Sequence, residues 1–369
     1  MNANRQFFQC IWLVVFSVGL SPVTLSAPLF ETDGVLDVVI EAPMGDLSRQ
    51  RHKKPEFPGT LRYTDASGVE HAFAVKVSPR GHSRLEVCDY PQLRISFDRD
   101  ETKDTLFEGQ RELKVVRQCM RGRDGREWLQ LEYAIYRAYN VITDYSFRAR
   151  QLNVSYRDTE SGRRGQTQPA FFLEDEGDLA NRLNRKRIRP PKVDPEQMEV
   201  VETTHYMLFQ YLVANTDFAV KRGPKSEGCC HNGRVVAEAG RQTDWVIVPY
   251  DFDYAGIINT EYALPGKGLP IRKVTTRLYR GFCWQNELLP ETIGLFNERR
   301  TEIEAAFSSS GIYKKRATQV KRFIGRFYTT VNDPQELQEK IMDKCRGPDS
   351  LPVRDSQVSQ DQIKAPLTG

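Results

Sequence analysis

Between residues 36 and 97 apolar side chains mostly recur at every second position, as in Ala72-Phe73-Ala74-Val75-Lys76-Val77 and Leu93-Arg94-Ile95-Ser96-Phe97. Period two sends alternate side chains to opposite faces of an extended chain, so the stretch predicts strands with one face in a core. Gly59, Asp65-Ala66-Ser67-Gly68 and Gly81 divide it into lengths that fold back antiparallel. A further strand over 112–116 runs into Cys119. After a turn at 122–125 the period becomes helical over 126–142, and strands return at 147–156 and 169–173.

The N-terminus has the order of a secretory signal: Arg5, an apolar run over 10–20, then Ser21, Pro22 and the small pair Ser26-Ala27. The run is well short of the roughly 20 residues that span a bilayer. The reading is a cleaved signal peptide over 1–27, an exported protein in the periplasm or the medium, and no membrane span after cleavage. Six cysteines then remain: Cys88, Cys119, Cys229, Cys230, Cys283 and Cys345. An even number in an exported chain points to disulfides. Cys88 with Cys119 is the expected pair, because both fall in the strand-rich half. A zinc site at Cys229-Cys230-His231 is the weaker alternative, adjacent cysteines being poorly placed to share one tetrahedral ion.

The net charge of +4 is too small to argue for nucleic acid. The densest basic run, Arg182-Leu183-Asn184-Arg185-Lys186-Arg187-Ile188-Arg189 before Pro190-Pro191, reads as a solvated linker, or as a docking surface for an acidic partner. The expected organisation is a β-rich lobe with one helix over 28–181 and the linker over 182–195. A mainly helical lobe over 196–346, with helices near 195–213, 288–307 and 313–331, and a disordered tail over 347–369 complete it.

Chemistry-bearing residues stand out at few places. In the 126–142 helix, Trp128, Leu131, Ile135, Tyr139 and Ile142 share a face, and Glu132 lies within that stripe. A buried unpaired carboxylate costs on the order of several kcal/mol, so Glu132 should meet a cation unless it reaches solvent at the edge of the stripe. Lys114, on the strand just before, offers one. In the second half Asp217 opens a loop after a long helix and Asn232 follows in that loop. Asp251 stands at the mouth of the apolar strand 245–248, with Asp253 two residues on. Hard oxygen donors on rigid mounts suit a magnesium ion held together with substrate phosphates.

This order resembles the CotH-type branch of atypical, secreted kinase-like proteins over roughly residues 76–256. The likeness is carried by Arg80-Gly81-His82-Ser83-Arg84, Asn215-Thr216-Asp217, His231-Asn232 and Pro249-Tyr250-Asp251-Phe252-Asp253. The resemblance implies an α+β, two-lobed protein-kinase-like fold and Mg- or Mn-ATP-dependent phosphoryl transfer to a hydroxyl of a secreted or envelope protein. It makes Asp217 the catalytic acid and Asn232 and Asp251 metal ligands, with Asp253 a further one. Lys114 and Glu132 become the phosphate-gripping pair, with Arg94 the alternative cation; Arg80 and Arg84 lie over the phosphates, and 172–176 is the hinge beside the adenine. Two other readings stand beside it: a non-catalytic, disulfide-stabilised binding or scaffold protein, and a metal-dependent hydrolase using Asp251, Asp253 and His231.

Overall fold

A computed structural model describes residues 28–98, 100–224 and 228–347. The segment expected to be a signal peptide and nearly all of the segment expected to be a disordered tail lie outside the described residues. The alternating stretch forms strands β1 (Leu36–Ala42), β2 (Phe57–Thr64), β3 (Glu70–Arg80) and β4 (Gln92–Phe97). β5 (Glu112–Arg117), β6 (Ala149–Asp158) and β7 (Gln168–Leu173) complete a closed seven-stranded barrel in the order β1-β2-β3-β4-β5-β7-β6.

This closed barrel corrects the expected kinase-like, two-lobed fold. Antiparallel neighbours build most of the wall, but β1 and β6 pair in parallel, with Leu36 opposite Leu152 and Ala42 opposite Asp158. Closure satisfies the backbone groups that an open sheet would leave exposed along its two edges. Alternate residues Val38, Ile40, Val75, Val77, Leu113, Val115, Leu152 and Val154 fill the interior. Phe107, from the β4–β5 connection, is fully buried at one end and meets the rings of Tyr63, Phe73, Phe97 and Phe172.

Where β2 crosses β1 the strands come close at Gly59: a Cβ there would stand 2.6 Å from the Glu41 carbonyl oxygen and 3.0 Å from Val77 Cγ2. A glycine at such a crossing lets backbones approach. Gly59→Ala is therefore expected to lower the unfolding free energy by about 1–3 kcal/mol in a urea titration. An unchanged midpoint would mean that the two strands do not approach in this way.

The helices are α1 (Met44–Arg49), α2 (Ser83–Val87), α3 (Gly122–Asn140), α4 (Glu176–Arg182), α5 (Val200–Val213), α6 (Leu289–Glu298), α7 (Arg300–Ser308), α8 (Lys314–Asn332) and α9 (Pro334–Lys340). The helix expected over 195–213 is a 3-10 turn, Pro195–Gln197, followed after a break by α5; the one expected over 288–307 is two helices, broken at Arg299. The basic run expected to be a linker contains strand β8 (Lys186–Ile188), which with β9 (Gly233–Ala237) and β10 (Val246–Pro249) makes a three-stranded sheet. Several of its charges are spent on ion pairs, Arg182 with Glu174 and both Arg187 and Arg189 with Glu176.

A second hydrophobic core lies outside the barrel and gathers α3, α5, β9, β10 and α6 to α8. α3 links the two regions: Tyr133 and Tyr136 pack on Phe171 of the barrel wall, while Tyr136 also meets Phe252 and Tyr139 meets Phe209. All six cysteines of the described residues form disulfides, Cys88–Cys119, Cys229–Cys230 and Cys283–Cys345. The expected Cys88–Cys119 pair is present, and the vicinal Cys229–Cys230 disulfide consumes both thiols of the alternative zinc site. No helix among the described residues is long and apolar enough to cross a membrane.

Candidate functional site

The outer face of β3, β4 and β5 turns cations toward the second core. Arg94 and Lys114 are directly opposite in the β4–β5 ladder, and their side chains therefore project from the same face. They differ in setting. Arg94 is half-buried and pairs with Glu112 at 3.0 Å, whereas Lys114 is only 6% exposed in its side chain. Lys114 Nζ lies 5.3 Å from the Tyr250 ring centre and 5.7 Å from that of Phe147, with Asp175 at 3.5 Å, and makes no hydrogen bond. Arg80 donates to the Tyr250 hydroxyl at 3.1 Å, and the Arg234 guanidinium sits 4.2 Å over the same ring. Glu176, bonded to Arg234, is held well below the usual carboxylate range: burial opposes its ionisation, but Arg234 and Lys114 outweigh it.

The expected Lys114–Glu132 pair is not formed. Glu132 does face a buried cation, but it is Arg84, from the short helix α2. One Arg84 Nη2 donates to Glu132 at 2.7 Å and to Asp251 at 2.7 Å, and its Nε donates to Asp253 at 2.9 Å. The side chains of Arg84, Glu132 and Asp253 are nearly fully enclosed, while Asp251 remains 33% exposed. Arg84 therefore does not lie open over a phosphate site; it is the hub of a carboxylate cluster. Cys88 and Cys119 hold the hub in place, because their disulfide ties the end of α2 to the segment entering α3, which carries Glu132.

One guanidinium cannot balance three carboxylates in a buried space. Burial, with Arg84 only partly offsetting it, pushes the Asp253 carboxyl up to about 8, and burial likewise raises Glu132. For Asp251 burial opposes ionisation too, but Arg84, Arg80 and Arg234 together keep its carboxyl below the ordinary value. The cluster thus separates an ionised, half-open Asp251 from a protonated, enclosed Asp253, which also accepts from the Tyr262 hydroxyl at 3.2 Å.

Asp253 keeps its proton in the folded state up to about 8, while the unfolded chain releases it near the ordinary 3.8. Its contribution to stability is complete below the lower value and is lost as pH rises through the upper one. In chelator, the melting temperature of the wild type is expected to fall from pH 5 to pH 9, and Asp253→Asn to flatten that fall. Parallel profiles for the two proteins would refute the assignment.

Asp217, Asn232 and Asp251, far apart in sequence, are joined by one chain of hydrogen bonds. Helix α5 ends with Ala214 in the left-handed region, and Asn215 Oδ1 accepts from the Asp217 amide in a side-chain turn. The loop then folds back, Ala219 and His231 exchanging both backbone bonds at 3.0 Å, which returns Asn232 to Asp217. Asn232 Nδ2 donates to the Asp217 carboxylate at 2.9 Å and to its carbonyl at 2.8 Å; His231 Nε2 is 3.0 Å from the other carboxylate oxygen. The Asn232 carbonyl in turn accepts from the Tyr250 amide at 3.1 Å, one residue before Asp251. Asn232 and Asp251 both adopt positive φ, 50° and 62°. Left-handed backbone at non-glycine residues is costly and recurs at functional sites.

Among the described residues no group of three or more His, Cys, Asp or Glu side chains is arranged to hold a metal by itself. Magnesium, however, commonly takes only one or two protein donors and completes its shell with substrate phosphates and water. Asp251 uses only one carboxylate oxygen on Arg84, and Asn232 binds Asp217 through its amide nitrogen, so Asp251 Oδ2 and Asn232 Oδ1 are hard donors left for such an ion. Sequence reasoning named Glu132, Asp217, Asp251 and Asp253 but gave no individual role to Arg234, to Tyr250 or to Asp175 and Glu176, the acids beside Lys114 and Arg234. A lone arginine in the apolar strand Gly233-Arg234-Val235-Val236 was the available signal. No family model, curated protein or solved structure matches this chain.

Proposed function

We propose that this protein transfers a phosphoryl group from Mg- or Mn-ATP to a hydroxyl of a secreted or envelope protein. The observation that carries the reading is the adjacency, around Tyr250 and Asp251, of two opposite charge fields. On one side are Lys114, Arg80 and Arg234; on the other, the half-open carboxylate of Asp251 with Asn232 and Asp217. Phosphoryl transfer asks a protein for this combination, cations to hold phosphate oxygens and hard donors for the divalent ion. The CotH-type resemblance points the same way, and function resides in such a site rather than in the fold that bears it. Three disulfides support work in an oxidising compartment, in keeping with the signal peptide.

In this reading Asp251 and Asn232 would hold the divalent ion, with Asp253 behind Arg84 a further ligand, and the ion would supply positive charge to the phosphate oxygens. Lys114, Arg80 and Arg234 bind phosphate oxygens. Asp217, its carboxylate oriented by His231 and Asn232, positions and deprotonates the accepting hydroxyl. Calorimetric titration with Mn-ATP is expected to show binding by the wild type and at least about a tenfold loss for Asp251→Asn. Asp217→Asn is expected to keep nucleotide affinity and to lower phosphate transfer, including to the protein itself, by about 100-fold or more. Wild-type protein that binds no nucleotide with either metal would overturn the reading.

One observation favours a non-catalytic role instead: Arg84 already engages an oxygen of each of the three carboxylates, as a purely structural ion cluster would. In that case Asp217→Asn and Lys114→Met would leave every activity and binding property intact while Arg84 substitutions unfold the protein.

A further inference from the structure

The end of the barrel opposite Phe107 is a second candidate site. There the inward-facing side chains change from aliphatic to Tyr156 on β6 and Arg117 at the end of β5. A cleft of about 600 Å³ opens over them, bounded by Tyr90, by Arg163 and Arg164 of the β6–β7 connection and by Asp158, whose carboxylate oxygens already accept from the Glu160 amide and the Ser161 hydroxyl. Arg117 is 8% exposed. Its guanidinium lies 4.1 Å from the Tyr156 ring centre and 5.0 Å from that of Tyr90, it forms no ion pair among the described residues, and its Nε has no hydrogen bond. The buried Tyr156 hydroxyl beside it is also without a partner.

A buried guanidinium with no carboxylate at ion-pair distance is costly, and two orphaned polar groups lining one cleft mark a place that a ligand completes. Barrel mouths are a common location for such sites. With its faces taken up by tyrosine rings, Arg117 has the N–H edge left, the edge that grips two oxygens of a carboxylate or phosphate at once. Arg163 and Arg164 add positive charge at the rim, and the tyrosine rings offer an apolar wall. We infer that this cleft binds a small organic oxyanion, a phosphate ester or carboxylate carrying an apolar ring. Arg117 also borders the small space beside Arg84, Glu132 and Asp253, but the cleft itself opens away from that cluster and none of its carboxylates lines it, so binding there does not depend on the activity proposed at Asp251.

The test is calorimetric titration of the exported protein with phenyl phosphate, benzoate and inorganic phosphate. Phenyl phosphate or benzoate is expected to bind more tightly than inorganic phosphate, and which of the two is tighter identifies the headgroup. Arg117→Met is expected to raise the dissociation constant at least about tenfold. The surface double variant Arg163→Ser/Arg164→Ser, which leaves the barrel core untouched, is expected to raise it several-fold and decides the matter if Arg117→Met folds poorly. Asp251→Asn should leave binding of these probes unchanged. Absence of binding by any of the three anions, affinity unaffected by the double variant, or loss of affinity in Asp251→Asn would each overturn the inference.

Discussion

Replacing Arg84 by alanine is expected to lower the unfolding free energy by about 3–5 kcal/mol in urea titrations near neutral pH. The loss comes less from the bonds themselves than from what they leave behind. Glu132 and Asp253 are enclosed, Asp251 is partly so, and without the guanidinium no cation among the described residues stands at hydrogen-bond distance from these three acids, whose remaining negative charge is left without a partner. Lowering the pH toward 5 is expected to recover part of the loss, because protonated carboxyls no longer repel. Arg84→Lys should fall between the two, keeping the charge but not the fork that reaches three acceptors. A loss below about 1 kcal/mol for Arg84→Ala would show that the cluster contributes little to the fold.

The paired substitution Cys88→Ser/Cys119→Ser is expected to cost about 4 kcal/mol, the chain-entropy value for a crosslink across a separation of 31 residues. Its position gives it a second consequence. The disulfide fixes α2, which carries Arg84, against the start of α3, which carries Glu132, so its removal loosens the support of Asp251. Weaker Mn-ATP binding is expected under conditions where the double variant is still fully folded by circular dichroism. Equal affinity in the two proteins would separate the disulfide from the site and leave it a purely global staple.

Local pattern was readable wherever one face of an element meets a core. Alternation identified β1 to β4, and the strand–helix–strand–strand order of β5, α3, β6 and β7 was legible from the change of period. Glu132 was recognised as needing a cation because it interrupts an apolar stripe, and Asp217, Asn232 and Asp251 were singled out by their places at element ends. The cation itself was misassigned to Lys114. Sequence distance favoured the adjacent strand, but Lys114 points to Tyr250 and Asp175, and it is Arg84 that reaches the stripe through a short helix pinned by a disulfide.

The sequence alone determined the strand-rich first half, the amphipathic helices and the residues able to carry charge chemistry, because each follows from spacing within a few turns or from residue type; the Cys88–Cys119 pair was an expectation among fifteen connectivities that the structure settled. Only the tertiary structure decided that the strands close into a barrel, since the parallel pairing of β1 with β6 joins segments more than a hundred residues apart through backbone bonds that carry no side-chain signature. It also decided which cation balances which carboxylate. In a buried cluster that choice depends on distances of about 3 Å between elements remote in the chain, and those distances exist only once the two cores have packed against α3.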